Sequence, residues 1–339
     1  MSNELRVGIA GYGLAGRFFH APLLKGCGFS VVGALTTNPE RMVAARSDFP
    51  DISVVDSFEE LLHLDLDLVV IATGNRAHAP QSIAALRAGI PVVVDKPMAL
   101  NLAETNAVLA VSQETGTPIT VYFNRRWDSD ALTIKKVLAE GILGNVFRLD
   151  SRFERFRPDA NSQSWREKLP AKEGGGNLLD LQPHLISLAL DWFGPAKVGY
   201  ASVRSIRGLS DDDVVIVLNH ATGVDSYLSA SAIVGAPGPR IRLIGDKGAL
   251  VITDLDKQED LLRSGKIPVG GLWQEETRSQ AKIVLGTEEH PYESIPGNYA
   301  LFYQAVKAAL KGEGGWPVPA TDALAVAEIL DSAREISVR

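Results

Sequence analysis

Apolar positions along the first third of the chain follow two periods in alternation. Short apolar runs of strand length are separated by stretches with helical spacing, which is typical of a parallel sheet covered by helices on both faces. The predicted strands are residues 6–10, 30–35, 66–73, 91–94 and 118–123. The predicted helices include residues 57–63 capped by Ser57, residues 79–88 ended by Gly89, and a helix capped by Asn101 with Glu104 in a capping box. This pattern predicts an α/β Rossmann domain, a doubly wound parallel sheet, over residues 1–121.

The pattern changes after about Tyr122. Residues 132–140 have helical spacing and end at Gly141, and residues 147–154 then alternate, with Phe147, Leu149, Ser151 and Phe153 on one face. Further strands are predicted at residues 201–206, 213–219, 225–234, 240–244 and 248–253, and helices at 183–193, 298–311 and 321–336. We expect an α+β domain over residues 122–320 with a large open, mainly antiparallel sheet. The helix at 321–336 is expected to pack back on the first domain.

An open sheet with too few helices to cover its second face must bury that face elsewhere. The sequence therefore predicts a homo-oligomer, a dimer or tetramer, formed sheet to sheet.

Composition limits the class of protein. The 339 residues fit two domains, and 45% hydrophobic with 22% charged residues is typical of a globular chain. The net charge of −7 and the lack of a basic tract argue against nucleic-acid partners, and no apolar run approaches membrane-spanning length. The first residues lack the features of a signal peptide, so a cytoplasmic location is expected. The single Cys27 is expected to be a buried structural thiol.

A glycine-rich stretch joins the first predicted strand to a helix-like run. The first of its three glycines would allow a tight turn, and the second would let the backbone approach a pyrophosphate. The third would allow the helix to pack closely on the strand. The candidate cofactor residues of this stretch are Gly11, Tyr12, Gly13, Leu14, Ala15 and Gly16. A glycine-rich turn of some other α/β protein is the alternative.

The end of the second strand bears on the choice of cofactor. NAD-specific sites place a carboxylate there for the ribose 2′-hydroxyl, and this sequence has none at the strand end. Two hydroxyls, an amide and a guanidinium would instead hold a 2′-phosphate. We therefore favour NADP(H) over NAD(H), with the candidate residues Thr36, Thr37, Asn38 and Arg41. The alternative is an ordinary turn in which Thr37 or Asn38 caps a helix and Arg41 is solvated.

A second polar cluster follows two later strands of the predicted parallel sheet. Ligands bind at the carboxyl ends of such strands, so these side chains are candidates for contact with the cofactor. They are Thr73, Asn75, His78, Asp95 and Lys96. Lys96 precedes a proline and is a candidate acid/base or substrate-orienting group; a surface lysine before a turn is the alternative.

A third cluster follows a run of three glycines. Pro183 fits only the first turn of a helix, so Asp180 and His184 are expected about one turn apart and within reach of the same space. A carboxylate beside an imidazole fixes its tautomer and raises its basicity, as a general base requires. The alternatives are a capping aspartate, a core histidine, or a metal site, for which no further ligands have convincing spacing.

Taken together, these motifs resemble the glucose-fructose oxidoreductase/inositol dehydrogenase/MocA family. The resemblance covers the glycine loop, the Thr-x-Asn-x-x-His stretch, Asp-Lys-Pro, the glycine run leading to Asp180 and His184, and Trp-Pro-Val-Pro at residues 316–319. Residues 122–130, 157–158 and 165–167 resemble the branch that contains NADP-dependent scyllo-inositol dehydrogenase. The sequence departs from the family at Asp95, where glutamate is more usual, and at Gly74, where proline is common.

The resemblance implies roles for individual residues. Lys96 would orient the substrate hydroxyl and the cofactor, His184 would transfer the proton, and Asp180 would be its acidic partner. The Lys96–Pro97 peptide bond would be cis. The implied enzyme is a dehydrogenase that interconverts a secondary alcohol of a cyclic polyol or sugar and its ketone with NADP(H). Alternatives are a keto-sugar or pyranose reductase that uses NADPH, and a non-catalytic NADP-binding sensor.

The wall of the substrate pocket is predicted from the same stretches. The candidates, beside Asp180 and His184, are Tyr122, Asn124, Arg157 and Trp165. Trp165 could offer an apolar face to a ring, and the others could hydrogen-bond hydroxyl groups. Each could equally be a structural residue at the junction of the domains.

Overall fold

The computed structural model describes residues 4–268 and 271–337. It divides the chain into two compact units. The described residues of the first unit fall within Met1–Asn124, Gln258–Trp273 and Tyr299–Leu324, and the rest form the second unit. The division after Asn124 lies close to the predicted domain boundary.

The first unit contains a six-stranded sheet. Its strands are β1 (Arg6–Ala10), β2 (Ser30–Leu35), β3 (Ser53–Val55), β4 (Leu68–Ile71), β5 (Val92–Asp95) and β6 (Ile119–Tyr122). All neighbouring strands are parallel, in the order β3-β2-β1-β4-β5-β6. This is the doubly wound Rossmann order, and it confirms the predicted class of this domain. The apolar run of β4 is completely buried, as expected for a strand covered on both faces.

The helices alternate with these strands and continue through the chain. They are α1 (Ala21–Gly26), α2 (Pro39–Asp48), α3 (Phe58–Leu62), α4 (Asn75–Arg87), α5 (Leu102–Thr115), α6 (Ser129–Glu140), α7 (Trp165–Lys168), α8 (Asn177–Asp180), α9 (Gln182–Phe193), α10 (Gln258–Arg263), α11 (Gly271–Glu276), α12 (Ala300–Leu310) and α13 (Ala320–Ser337). The predicted caps form: Ser57 accepts from the Glu60 backbone N–H, and Asn101 from that of Glu104.

The second unit is built on an eight-stranded sheet. Its strands are β7 (Val146–Glu154), β8 (Ala196–Arg204), β9 (Asp213–His220), β10 (Asp225–Ser231), β11 (Ile241–Gly245), β12 (Ala249–Ile252), β13 (Ala281–Leu285) and β14 (Glu288–Tyr292). The order is β14-β13-β12-β11-β7-β10-β9-β8, and only the β7–β10 pair among these is parallel. The mainly antiparallel open sheet is therefore confirmed.

Two positions of β7 differ from the predicted alternation. Phe147 was expected on the buried face but is 50% exposed, because the pairing of β7 with β11 shifts register between Ile244 and Gly245, opposite this residue. Asp150, expected on the polar face, is 1% exposed, since arginine side chains from β7 and β11 cover it.

The C-terminal helix is divided between the two units. Residues 321–336 were expected to pack back on the first domain, but only the first residues of α13, up to Leu324, belong to that unit. The later part belongs to the second unit, where the backbone N–H of Val203 in β8 donates to the Ser337 hydroxyl at 2.8 Å. Residues 299–320, predicted in the second domain, belong to the first unit.

Candidate functional site

The glycine loop turns sharply after β1. Gly11 has a φ of +94°, and a Cβ there would lie 2.6 Å from the carbonyl oxygen of Ala72. A Cβ on Gly16 would overlap the carbonyl oxygen of Gly11, so the loop and the following turn are packed backbone on backbone. The segment Leu14–His20 is wound as a π-helical turn before α1. The loop therefore has the close packing that the dinucleotide fingerprint requires.

Tyr12 lies in this loop, but its side chain is buried. Its hydroxyl donates to the carboxylate of Asp48 at 3.0 Å, and Arg17 donates to the same carboxylate. Burial, with Asp48 alongside, raises the pKa of the Tyr12 hydroxyl. Any contact of Tyr12 with a cofactor would therefore come from its backbone.

Arg41 lies against the glycine loop. One terminal nitrogen of its guanidinium is 3.4 Å from the position that a Cβ on Gly13 would occupy. Asn38 caps α2 by accepting from the Arg41 backbone N–H at 3.0 Å, and Thr36 is buried with its hydroxyl 3.4 Å from the Asn38 nitrogen. The capping alternative is thus correct for Asn38, while the Arg41 side chain presents a positive charge beside the loop.

The ends of β4 and β5 carry the second cluster. His78 is 1% exposed, with Nδ1 2.7 Å from the carbonyl oxygen of Pro97 and Nε2 3.1 Å from that of Thr73. Burial lowers the pKa of His78. The carboxylate of Asp95 accepts from the Lys96 backbone N–H at 2.9 Å, and the Lys96–Pro97 bond is cis, as the resemblance implies. His78 therefore joins the two loops and helps to place the backbone of Lys96.

Two candidates for the substrate wall lie at the end of β6 and just beyond it, and both are buried. Tyr122 is 2% exposed, and its ring is 4.4 Å from that of His20 and 4.9 Å from that of Phe302. Asn124 is 6% exposed. Burial favours the structural alternative for Tyr122, and the substrate roles of both residues stay predictions.

In the second unit, Asp180 ends the single-turn helix α8 and His184 lies in the first turn of α9. The two helices are separated by Leu181, whose carbonyl oxygen accepts from the His184 backbone N–H at 3.2 Å. His184 is 7% exposed, and its ring meets that of Phe153 edge-on at 6.1 Å. The predicted spacing of one turn is thus present, with a break in the helix between the two residues.

The glycine run before α8 is held from two sides. The backbone N–H of Gly176 donates to the carbonyl oxygen of Arg166 at 2.8 Å, and a Cβ on Gly175 would overlap the carbonyl oxygen of Leu169. On the other side, Asp211 accepts from the Leu178 backbone N–H at 2.7 Å. Burial raises the pKa of the Asp211 carboxyl to about 6.

Arg166 makes the ion pair with Asp180. Its Nε lies 3.3 Å from Oδ1 of Asp180, and its guanidinium stacks 4.4 Å from the ring of Trp165. The exposed Arg157 is fixed by its backbone, since its carbonyl oxygen accepts from Arg207 at 3.0 Å. Arg166, Trp165 and Asp180 therefore form a partly exposed group that combines a charge pair with an aromatic face.

Metal and thiol chemistry find little support in the described part of the chain. Among residues 4–268 and 271–337, no group of three or more His, Cys, Asp or Glu side chains could hold a metal ion. Cys27 is half-buried, and burial raises its pKa to about 11, which disfavours the thiolate at neutral pH. None of the helices described by the structure is long and apolar enough to cross a bilayer.

The Rossmann sheet and its glycine loop indicate a protein that binds a dinucleotide such as NAD(P). Residues 5–123 match the model of the oxidoreductase family with an NAD-binding Rossmann fold, and residues 131–251 match the GFO/IDH/MocA C-terminal domain. The chain belongs to the GFO/IDH/MocA family.

The similarity to known proteins extends over the whole chain. An Escherichia coli K12 protein described as the uncharacterized oxidoreductase YdgJ is 35% identical, covering 98% of this chain and 96% of its own. The scyllo-inositol 2-dehydrogenase (NADP(+)) IolW of Bacillus subtilis is 32% identical, covering 99% and 94%. A solved structure from Yersinia pestis is 34% identical with a TM-score of 0.90, covering 100% of this chain and 96% of that one. The family predicted from the motifs is confirmed, and the protein is an NAD(P)-dependent dehydrogenase.

The predicted site residues fall into two groups, one in each unit. In the first unit, the glycine loop, the turn at Arg41 and the loop at Lys96 follow the carboxyl ends of parallel strands, and so lie along one edge of the sheet. In the second unit, Asp180 and His184 lie around the junction of α8 and α9. The sequence interpretation assigned no role to Arg166 or Asp211. A run of three aspartates at residues 211–213 was the only visible signal for the latter.

Proposed function

We propose that this protein is an NADP(H)-dependent dehydrogenase that interconverts a secondary alcohol of an inositol-like cyclic polyol and its ketone. The observation that carries the proposal is the position of Asp180 at the end of α8 and of His184 in the first turn of α9, in a chain that also has Lys96 after β5. A relative that matches 99% of the chain is named for NADP-dependent oxidation of scyllo-inositol. The family and the fold alone support an NAD(P)-dependent dehydrogenase, without its substrate or its preference between NADP(H) and NAD(H).

Arg41 supports the choice of NADP(H). The cofactor loop and the turn after β2 fit a dinucleotide, because the glycines leave room where the Arg41 guanidinium approaches Gly13. A guanidinium there can hydrogen-bond a 2′-phosphate and neutralise part of its charge. No carboxylate follows directly at the end of β2 to repel that phosphate.

The chemistry assigned to the chain needs three side chains. When bound, a nicotinamide cofactor supplies the hydride acceptor or donor. His184 takes the hydroxyl proton as the alcohol is oxidised, and Asp180 stabilises the imidazolium that forms. The ammonium of Lys96 hydrogen-bonds the same oxygen and stabilises its developing negative charge. In the reductive direction, His184 returns the proton.

A polyol and cofactor screen tests the proposal. The purified full chain is incubated with each of NADP⁺ and NAD⁺ and a panel of inositols, aldoses and ketoses, and formation of the reduced nicotinamide is followed. The proposal expects the highest kcat/KM for an inositol with NADP⁺. Activity confined to reduction of keto-sugars would support the pyranose-reductase alternative, and no turnover in either direction would support an idle NADP-binding protein.

We also propose that the open face of the second unit's sheet binds a second copy of the chain. Arg148, Arg152 and Arg242 surround the buried Asp150 there, beside the half-exposed Tyr227. Alternating basic and acidic side chains around aromatic residues make a surface that can pair with itself across a twofold axis.

A further inference from the structure

Asp211 holds the start of α8 through both its side chain and its backbone. Its carboxylate accepts from the Leu178 backbone N–H at 2.7 Å, and its backbone carbonyl oxygen accepts from that of Asn177 at 2.9 Å. The carbonyl oxygen of the next residue, Asp212, accepts from the Asn177 side-chain amide at 2.9 Å. The first turn of α8 is therefore attached to the residues that lead into β9.

Gly176 brings the same carboxylate directly against the backbone. Gly176 has a φ of +89°, and a Cβ at this position would overlap Oδ2 of Asp211. The other carboxylate oxygen, Oδ1, accepts the hydrogen bond from the Leu178 backbone N–H. Asp211 thus fills the space that the glycine leaves, and a larger residue at 176 would be strained by its positive φ and would have to displace this carboxylate.

The position of Asp180 depends on this attachment. A helix of one turn has no stability of its own, because nucleation fixes several residues for one hydrogen bond. In α8 only two such bonds form, from the Asp180 backbone N–H to the carbonyl oxygen of Gly176 at 3.0 Å and from that of Leu181 to Asn177 at 2.9 Å. The contacts at residues 176–178 consequently set where the Asp180 carboxylate lies, and through Leu181 they set where α9 and His184 begin.

We propose that Asp211 is a positioning residue for Asp180 and His184, outside the reacting groups themselves. The inference rests on the proposed function, since it assigns Asp211 to the geometry of that proton-transfer pair. A displacement of about 1 Å at a reacting group can lower turnover by as much as about a hundredfold.

Asp211→Ala and Asp211→Asn test the assignment, with Asp213→Ala as the matched control. Asp213 is also a buried carboxylate of the same run, but it bonds the side chain of Arg204 rather than α8. Assays are run at about pH 8, above the pKa of about 6 that burial gives the Asp211 carboxyl. Steady-state kcat and KM for the best polyol are compared with the dissociation constant for NADPH.

The proposal expects kcat of Asp211→Ala to fall about tenfold or more, with the NADPH dissociation constant changed by less than about twofold. Asparagine keeps an acceptor for Leu178, so Asp211→Asn and the control should stay within about threefold of the native kcat. A native-like kcat in Asp211→Ala, or an equal loss in Asp213→Ala, would overturn it. If Asp211→Ala does not fold, Asn177→Ala tests the same attachment of α8, because it removes the hydrogen bond from the Asn177 side chain to the carbonyl oxygen of Asp212. An unchanged kcat in that variant would also overturn the proposal.

Hydrogen–deuterium exchange separates this inference from the proposed function. The amide of Leu178, which loses its carboxylate acceptor, should exchange faster in Asp211→Ala than in the native chain and in Asp213→Ala, whether or not a substrate is known. Faster exchange without turnover on any polyol would reject the proposed function and keep the structural role of Asp211. Unchanged exchange would reject the positioning role itself.

Discussion

The guanidinium of Arg166 is paired with the carboxylate of Asp180, Nε to Oδ1 at 3.3 Å, and stacks on the ring of Trp165. The pair is partly exposed, with 38% of the Arg166 side chain and 29% of the Asp180 side chain accessible. A charge pair beside an aromatic face suits a polyol, whose hydroxyls can bond the charged groups while its ring lies on the indole.

Replacing Arg166 should weaken turnover moderately. Arg166→Gln removes the cation that faces Asp180, and loss of one charge-assisted hydrogen bond in a partly exposed site corresponds to about tenfold in kcat/KM. Arg204→Gln is the control, because it removes an arginine–aspartate pair in the same unit, that with Asp213. Equal kcat/KM values for native protein and Arg166→Gln would remove Arg166 from the site.

Lys96 is expected to act in the chemical step. Lys96→Ala removes the ammonium that stabilises the developing charge, so kcat should fall by about 10²- to 10⁴-fold. The dissociation constant for NADPH, measured by cofactor fluorescence, should change little, because the glycine loop and Arg41 are intact. Lys282→Ala, which breaks an exposed pair with Glu289, is the control. Unaltered turnover in Lys96→Ala would exclude the lysine from the mechanism.

Arg41 should discriminate between the two cofactors. Arg41→Ala removes a charge-assisted bond to a 2′-phosphate, so the dissociation constant for NADPH should rise about tenfold or more while that for NADH stays nearly constant. Arg46→Ala, an exposed arginine in the same helix, should change neither. Tighter binding of NADH than NADPH by the native protein would contradict the NADP(H) preference.

Stability should depend on pH through His20. Burial lowers the pKa of His20 to about 4, whereas an unfolded histidine titrates near 6.5. As the pH falls from about 6.5 to 4, the unfolded state binds a proton that the folded state does not, so the free energy of unfolding should drop by about 3 kcal/mol. His20→Gln should lose this part of the pH dependence, which denaturant unfolding at both pH values would show.

The exposed His63 provides the control for that measurement. His63→Gln should retain the acid destabilisation of the native protein. If His20→Gln and the native protein lose the same free energy on acidification, the buried neutral state of His20 is wrong.

The open sheet should mediate self-association. Light scattering of the native protein should give the mass of a dimer or tetramer. The double variant Tyr200→Glu with Tyr227→Glu should shift this mass toward that of a monomer without unfolding the protein, because both rings are exposed on the second unit. Val43→Glu places the same charge on an exposed apolar position of α2 in the first unit and should have no effect. A native monomer at micromolar concentration would exclude the sheet-to-sheet oligomer.

Most of the first unit was predictable because its signals are local. β1 and β2 begin and end at the predicted residues, since each is an apolar run bounded by turn residues. β3, β13 and β14 were missed: β3 has three residues, β13 has one buried residue among its five, and four of the five residues of β14 are exposed, so none gives a clear periodic signal. Helix α4 begins at Asn75, earlier than predicted, with Pro80 inside it.

The contacts that fix the site were not predictable for a different reason. Asp180 and His184 could be found from their spacing, but their partners come from distant segments. Arg166 reaches α8 by donating to the side chain of Asp180, and Asp211 reaches it by accepting from the Leu178 backbone N–H. No sequence period records either contact. The assignment of α13 to two units likewise depends on a tertiary contact, that of Ser337 with Val203.

The most direct test of the account is a crystal structure of the native protein with NADP⁺ and the polyol that it oxidises best. The account predicts that Nζ of Lys96 and a ring nitrogen of His184 each lie about 3 Å from the same hydroxyl oxygen, over the nicotinamide ring. A structure in which either group lies more than about 6 Å from that oxygen, with no bridging water, would contradict it.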